Sequence, residues 1–178
     1  MDQVDPRVEE LMDREKIRDC LYRYCRGVDR SDEASLRSAY WPDATDQHGV
    51  YNGSAAGFIE WAVNYFPLME RGIHLVSNIL IEFRTGGAAV ETYWNAYQRG
   101  PRYRKDGSLT EVESMVLAGR YVDWFEKRGG EWRVATRVVV FDRSEVVPPP
   151  ADAESVGARL PLGARYPDDP IYALLARA

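Results

Sequence analysis

The sequence is poor in the residues that metal centres and disulfide frameworks require. Its 178 residues include two cysteines and two histidines, too few for the four-ligand sets typical of structural zinc sites. Cys20 and Cys25 fall in a helical pattern, and five positions at ~100° each place them on different faces. A disulfide between them is therefore disfavoured. We expect no metal ion, no disulfide and no cofactor.

The chain also lacks an excess of positive charge and any long apolar run. Its net charge of −5 and sequence pI of about 5.2 argue against a nucleic-acid or anionic-membrane partner. No apolar stretch approaches the ~20 residues that span a bilayer. The first residues, MDQVDPR, are polar and charged, unlike a signal peptide. We expect a cytoplasmic protein with a small-molecule substrate.

Several catalytic and nucleotide-binding signatures are missing. The sequence contains no P-loop, no GxGxxG after a strand, no HExxH and no GxSxG. Aromatic residues are plentiful, with 11 tyrosines and 5 tryptophans. Such an aromatic content is typical either of a core packed with large side chains or of an aromatic-lined pocket.

The hydrophobic periodicity changes once along the chain, from helical to alternating. Asp5-Pro6 caps a helical stripe that runs to about Asp29, with a phase shift at Asp13-Arg14 that allows a break into two helices. Further helices are predicted over 33–40 and 54–69, with a polar connection at 43–50 and a turn at 51–53. Strands are predicted over 72–83, 88–99, 112–126 and 132–142. Helices followed by long strands indicate an α+β fold with helices on one face of a curved antiparallel sheet.

His74 stands near the start of the first predicted strand, in the run GIHLVSNILIEF. A histidine in an apolar strand is either a hydrogen-bonded core residue or the base of an active site. The second interpretation requires a carboxylate on one ring nitrogen, to fix the tautomer and raise the basicity of the other.

Three further positions carry open alternatives. Asp29, at the end of the long helix with Tyr24 five positions before it, is either a solvated acid or part of a site. Asp46 and His48 either share one face of a strand or lie in a surface loop. Arg137 interrupts an apolar run, so it is either outward-facing or buried, and a buried arginine must be paired or bind an anion.

Five short motifs follow one another along the chain. They are GVDR (27–30), WPDA (41–44), GVYNG (49–53), HLVSN (74–78) and GEWRVATR (130–137). This ordered set resembles the SnoaL-like branch of the nuclear transport factor 2-like superfamily, over about residues 7–143. Within that branch the chain is similar to a lyase group of hexachlorocyclohexane dehydrochlorinase, bile acid 7α-dehydratase, scytalone dehydratase and formaldehyde-releasing lyases of lignin diols.

The resemblance implies a cone-shaped α+β barrel whose curved sheet wraps a long helix and leaves a pocket at its open end. It also implies an acid–base pair of His74 and Asp29, supported by Tyr24 and Arg137. We expect the substrate to contact four further residues, which are His48, Asn78, Tyr93 and Tyr97. Residues 1–147 would form the barrel, and 148–178 an extension packed on it or on a neighbouring subunit.

The expected activity is a cofactor-independent elimination of water or formaldehyde from a small aromatic or polycyclic substrate. Tyr24 would hydrogen-bond the developing oxyanion, and Arg137 would add electrostatic stabilisation. The alternatives are an isomerase or cyclase of polyketide- or steroid-like molecules, and a non-catalytic small subunit of a ring-hydroxylating dioxygenase. An apolar sheet face bearing Val116, Val138 and Val140 predicts a homo-oligomer, and the resemblance favours a trimer.

Overall fold

The chain folds as an α+β structure in which three N-terminal helices precede four long strands. The structure, a computed structural model, describes residues 5–104, 106–147 and 163–177. The helices are α1 (Pro6–Arg30), α2 (Glu33–Ala39), α3 (Ala55–Tyr65) and α4 (Pro170–Leu175), with a 3-10 turn at Phe66–Leu68. The strands are β1 (Tyr40–His48), β2 (Tyr51–Ser54), β3 (Arg71–Arg84), β4 (Gly87–Gly100), β5 (Glu113–Arg128) and β6 (Glu131–Val147).

Helix α1 is continuous over 25 residues, so the break considered at Asp13-Arg14 is not present. Its start is as predicted, with the Asp5 carboxylate accepting a hydrogen bond from the Arg7 amide at 2.9 Å. The phase shift has a different cause: Leu11 and Met12 are exposed, because the first turns project beyond the sheet. The buried stripe begins only at residue 17 and follows helical spacing.

The end of α1 is shaped by a close helix–helix contact. Ser31 takes a left-handed conformation with φ 52°, and Asp32 caps α2 by accepting from the Ser35 amide at 3.0 Å. A Cβ on Gly27 would lie 2.6 Å from Leu36 Cγ. Glycine at this position therefore lets α2 pack directly against α1.

The six strands form one open, curved sheet in the order β2-β1-β6-β5-β4-β3. Two details differ from the expectation. Residues 43–50, predicted as a connection, belong largely to β1, and residues 51–53 to β2 rather than to a turn. Strand β1 also pairs with β6 in parallel, so the sheet is mixed. β1 was missed because its buried positions include Asp46, which hides the apolar alternation on which strand prediction depends.

Strands β3 and β6 contain three β-bulges, at Asn78, Ala135 and Asp142, and the first two decide which way the predicted site residues point. In β3, Ser77 and Ile79 pair with consecutive residues of β4, so Asn78 is an extra residue, and its φ is 46°. In β6, Val134 and Thr136 pair with consecutive residues of β5, so Ala135 is extra. An extra residue reverses the inside–outside alternation beyond it.

The bulge at Ala135 turns Arg137 into the core, where it is 1% exposed. Its guanidinium donates to both carboxylate oxygens of Asp123, at 2.8 and 2.6 Å. The same group lies over the rings of Tyr24 and Tyr121, at 4.1 and 4.3 Å from their centroids. Burial alone would lower the pKa of Arg137, but the facing Asp123 carboxylate outweighs it and holds that pKa above its usual value. Arg137 is thus a paired core cation.

The C-terminal segment 163–177 contacts the junction of α1 and α2. The Tyr166 amide donates to the Arg30 carbonyl at 2.7 Å, and Asp169 pairs with Arg30 at 3.2 Å. The Tyr172 hydroxyl donates to Asp32 at 3.0 Å. Residues 148–162, including the three prolines expected to end the regular part, lie outside the described residues. The domain boundary at 147 stays a prediction.

None of the helices in the described part of the chain combines the length and the apolar character needed to cross a membrane.

Asp123→Asn is expected to lower the free energy of unfolding by about 3–5 kcal/mol, because it leaves the buried Arg137 charge without its carboxylate. Glu145→Gln is the matched control, since its pair with Arg143 is exposed on both sides, and it should leave stability unchanged within error. Urea unfolding followed by circular dichroism measures both variants. Equal stability of the two variants would show that the buried pair has no such role.

Candidate active site

The structure brings Asp29 and His74 into direct contact. His74 Nδ1 lies 2.6 Å from Asp29 Oδ1, and the His74 main-chain amide donates to Asp29 Oδ2 at 2.9 Å. Both side chains are largely buried, at 7% and 10% exposure. One carboxylate therefore fixes both the backbone and the ring of His74, which is the arrangement that a positioned base requires.

Asp29 occupies a position that is unfavourable for an anion. It lies in the last turn of α1, where the helix dipole opposes a negative charge by ~0.3–1 kcal/mol. Hydrogen bonds to an ionised group contribute ~1.5–3 kcal/mol each, so the two bonds from His74 outweigh the dipole. Asp29 is stabilised by the strand it contacts, not by its own helix.

Arg165 ties together the two elements that carry this pair. Its guanidinium donates to the main-chain carbonyl of Asp29 and, at 2.8 Å, to that of Met69, just before β3. Burial lowers the pKa of Arg165 from its usual value, and the Asp29 carboxylate opposes that shift. No local sequence pattern could predict this contact, because Arg165 lies 136 residues away from Asp29.

His74 lines a cavity of about 250 Å³ between the helices and the concave face of the sheet. Seven aromatic rings and a few polar side chains form its wall. Its lining residues are His48, Gly49, Val50, Trp61, Tyr65, Phe66, His74, Trp94, Gln98, Arg102, Tyr103, Met115, Leu117, Tyr121, Val139, Phe141 and Ser144. The aromatic residues therefore serve partly as a pocket lining.

His48 lies at the end of β1 and lines the same cavity. Its ring stacks on Phe58, with 4.7 Å between centroids. Its Nδ1 is 3.6 Å from Asp46 Oδ1, so the two residues share a strand face rather than a surface loop. Because β1 and β3 are separated by three strands of a curved sheet, the two histidines approach the cavity from different walls.

Two of the four residues predicted to be catalytic lie behind the cavity wall. Tyr24 and Arg137 are 0% and 1% exposed, and neither lines the cavity. Tyr121 stands between them and the cavity, with its ring 5.4 Å from that of Tyr24. Burial also raises the pKa of Tyr24 far above its usual value. Both side chains contact the core rather than the cavity, and their role towards a substrate stays a prediction.

Three of the predicted substrate-binding residues lie elsewhere. Tyr93 and Tyr97 are 42% and 39% exposed on the outer face of β4, and Asn78 is exposed at the β3 bulge. None of the three lines the cavity. The inner positions of β4 are Trp94 and Gln98, so the sequence interpretation was out of phase by one residue.

Other lining residues were missed although the sequence carried a signal for some of them. Trp61 and Tyr65 are four positions apart on α3 and stack at 4.9 Å, as helical spacing allows. Arg102 and Tyr103, assigned to a solvated loop, lie at the cavity, and Arg102 pairs with Glu113 at 2.5 Å. That placement depends on long-range contacts, which no local pattern reveals.

Within residues 5–104, 106–147 and 163–177, no group of three or more His, Cys, Asp or Glu side chains could hold a metal ion.

The curved sheet around a long helix, with a cavity on its concave face, is the architecture of the nuclear transport factor 2-like superfamily. A protein of that superfamily from Salmonella enterica superimposes with a TM-score of 0.59 at 14% identity, over 74% of this chain and 92% of the other. A crystal structure of a type 2 hexachlorocyclohexane dehydrochlorinase (LinA) gives a TM-score of 0.68 at 20% identity, over 79% and 93%.

The sequence comparison identifies the family to which the chain belongs. A family model described as the SnoaL-like domain matches residues 9–138, and the chain belongs to this family. It is similar to hexachlorocyclohexane dehydrochlorinase 1 of Sphingobium indicum, with 27% identity over 133 residues that cover 72% of this chain and 80% of that protein. The resemblance identified from the motifs is thereby confirmed.

Arg165→Ala is expected to lower the free energy of unfolding by about 1.5–3 kcal/mol, the contribution of hydrogen bonds made by a charged donor. Arg177→Ala, an exposed arginine in the same segment, serves as the control and should have no effect. Thermal and urea unfolding measure both. If the two variants are equally stable, the segment does not tie α1 to β3.

Proposed function

We propose that this protein is a cofactor-independent lyase that uses His74, oriented by Asp29, to eliminate a small group from an aromatic or polycyclic substrate. The observation that carries the proposal is the His74–Asp29 pair on the wall of an aromatic cavity. The group eliminated is water or formaldehyde. No other residue is required to activate the base.

The tautomer of His74 follows from its partner. Asp29 Oδ1 accepts a hydrogen bond from Nδ1, so Nδ1 carries the hydrogen and Nε2 has a free lone pair. Nε2 is then the atom that meets a substrate in the cavity. When Nε2 takes a proton, the adjacent carboxylate stabilises the imidazolium that forms.

The proposed reaction moves one electron pair through the substrate. Nε2 removes a proton from carbon, the C–H pair becomes a double bond, and the bond to the leaving group breaks. In the formaldehyde-releasing version, Nε2 removes a hydroxyl proton instead. The O–H pair forms the C=O bond of formaldehyde, the C–C bond breaks, and the carbon that keeps its electron pair takes the proton back from His74. Both versions use the same base, and a positioned proton transfer of this kind contributes ~10²–10⁴-fold in rate.

The walls of the cavity support a flat, apolar substrate. Trp94 stacks parallel to Tyr121 at 5.6 Å and meets the edge of Phe141 at 5.2 Å. Flat rings bind between such faces through offset or edge contacts. The similarity to a dehydrochlorinase supports an elimination, since that relative's name describes one.

Two alternatives remain distinguishable by experiment. An isomerase or cyclase would use the same base but would return a product of unchanged mass. A non-catalytic small subunit of a ring-hydroxylating dioxygenase would co-purify with a large partner and would not need the intact His74–Asp29 pair.

His74→Gln and Asp29→Asn are expected to lower turnover by at least ~100-fold, because each removes the base or its orientation. Asp19→Asn is the matched control, the same change on an exposed position of the same helix, and should keep full activity. Mass spectrometry of products from a panel of diaryl diols and hydroxysteroids measures loss of water or formaldehyde.

Retained turnover in His74→Gln would contradict the proposal, and so would a product of unchanged mass. Circular dichroism and the melting temperature of each variant separate loss of the base from loss of the fold.

We also propose that the chain assembles as a homotrimer through the outer face of β3–β5. The three valines expected to form this face are half-buried, and other side chains carry its exposed apolar area. These side chains are Ile73, Leu75, Leu80, Tyr93, Tyr97 and Val122. Exposed apolar side chains gathered on one face of a sheet are typical of an interface.

Sedimentation velocity is expected to give three times the chain mass of 20.3 kDa. Leu75→Glu should dissociate the assembly, because Leu75, at 67%, is the most exposed of these apolar side chains. Leu175→Glu, 58% exposed on α4, should leave it intact. A monomeric wild-type protein would contradict the trimer.

A further inference from the structure

A second histidine–carboxylate pair faces the cavity, and the elimination written above leaves it without a role. His48 Nδ1 and Asp46 Oδ1 are 3.6 Å apart. Both atoms are buried and have no hydrogen-bond partner within the described part of the chain. An unpaired buried polar atom destabilises the folded protein. A small movement that closes the gap would satisfy both atoms with a single bond.

The charged groups next to Asp46 indicate which protonation state of His48 the site stabilises. Asp46 Oδ2 accepts from the Tyr40 hydroxyl at 2.5 Å, and Tyr40 lies 3.5 Å from the Arg137 guanidinium. Arg137 is already neutralised by Asp123 in a pair with 0% exposure on both sides. Arg137, Asp123 and Asp46 thus place one guanidinium and two carboxyl groups in the same buried region, and an ionised Asp46 would leave it with a net charge of −1.

A proton on His48 balances that charge. An imidazolium there would donate from Nδ1 to Asp46 Oδ1 and present Nε2–H to the cavity, since His48 lines it. A buried carboxylate is stable only when it is paired and hydrogen-bonded. The two histidines then differ in function, since the Nε2 of His74 accepts a proton while that of His48 donates one.

We propose that His48, positioned by Asp46, is the general acid that protonates the departing oxygen of the substrate. This inference rests on the proposed lyase function. His74 Nε2 takes the proton from carbon, the C–H pair forms the double bond, the C–O bond breaks, and the oxygen takes the proton of His48 Nε2 to leave as water. His74 ends protonated and His48 neutral, and exchange with solvent restores both.

The leaving group of the substrate separates general-acid catalysis from simple packing. A hydroxyl must be protonated to leave, whereas a chloride departs as a stable anion. In a pair of substrates that share one carbon skeleton, His48→Gln should lower the alcohol rate by ~10²–10⁴-fold and the chloride rate far less. Glutamine keeps a hydrogen-bonding amide but transfers no proton. His74→Gln should lower both rates.

The outcomes distinguish the two proposals. If His48→Gln lowers the elimination rate by the same factor for the alcohol and for the chloride, His48 is a binding or packing residue and not a general acid. No loss for either substrate would also overturn its role. Retained turnover in His74→Gln would instead overturn the lyase mechanism itself, whatever His48 does.

A second measurement needs no substrate. The chain has two histidines, so ¹⁵N-histidine NMR of the whole protein shows both rings, assigned through the two glutamine variants. At the assay pH, His48 should carry hydrogen on both nitrogens, and His74 on Nδ1 alone. Asp46→Asn should remove one hydrogen from His48, while Asp43→Asn, exposed on the same strand, should not. A neutral His48 in the wild type would overturn the proposal.

Discussion

The carboxylate of Asp29 joins the end of the long helix to the edge of the sheet, and the geometry of the cavity depends on that junction. Helix α1 is 25 residues long, roughly 37 Å at the usual rise, and the sheet curves around it. β3 is an edge strand, so one of its sides lacks a neighbouring strand. The bond from the His74 amide to Asp29 anchors part of that open side.

Behind the cavity lies a polar layer that is unusual for a core. Arg137, Asp123 and Asp46 are all at most 4% exposed, and aromatic rings separate them from the cavity. Such a layer is tolerated because almost every charge is matched at hydrogen-bond distance. Tyr121 belongs to both regions, since it lines the cavity and also lies under Arg137. The wall of the site is therefore the outer surface of a charged interior.

Much of this architecture was readable from the sequence. The capping at Asp5 and Pro6, the stripe of α1 and the four long strands follow from local periodicity, and the ordered motifs indicated the family. The His74–Asp29 contact was expected from the same motifs and was found at 2.6 Å. Local propensity and family resemblance agree in these regions.

The errors share a physical cause. The outward position of Asn78 follows from a bulge, which leaves no trace in hydrophobic periodicity. The bulge at Ala135 likewise decided for the buried, paired Arg137, which the sequence had left open beside an outward-facing one. Strand β1 was missed because its inner side chains are polar, and Arg165 because its contacts are long-range. Tyr24 was placed correctly at the end of its helix, but its direction depends on the packing of Arg137. Long-range pairing decided each of these cases.

The bulges have one more consequence, for how this fold tolerates insertions and deletions. Each extra residue acts as a frameshift of the strand: Gly72, His74 and Val76 point inwards before Asn78, and Ile79 and Ile81 after it. Deleting Asn78 would remove the bulge and leave both sets on the inner face, because Ser77 and Ile79 already pair with consecutive residues of β4. A single-codon deletion at Asn78 or Ala135 is thus absorbed by its strand, and the side chains that line the pocket stay on the inner face.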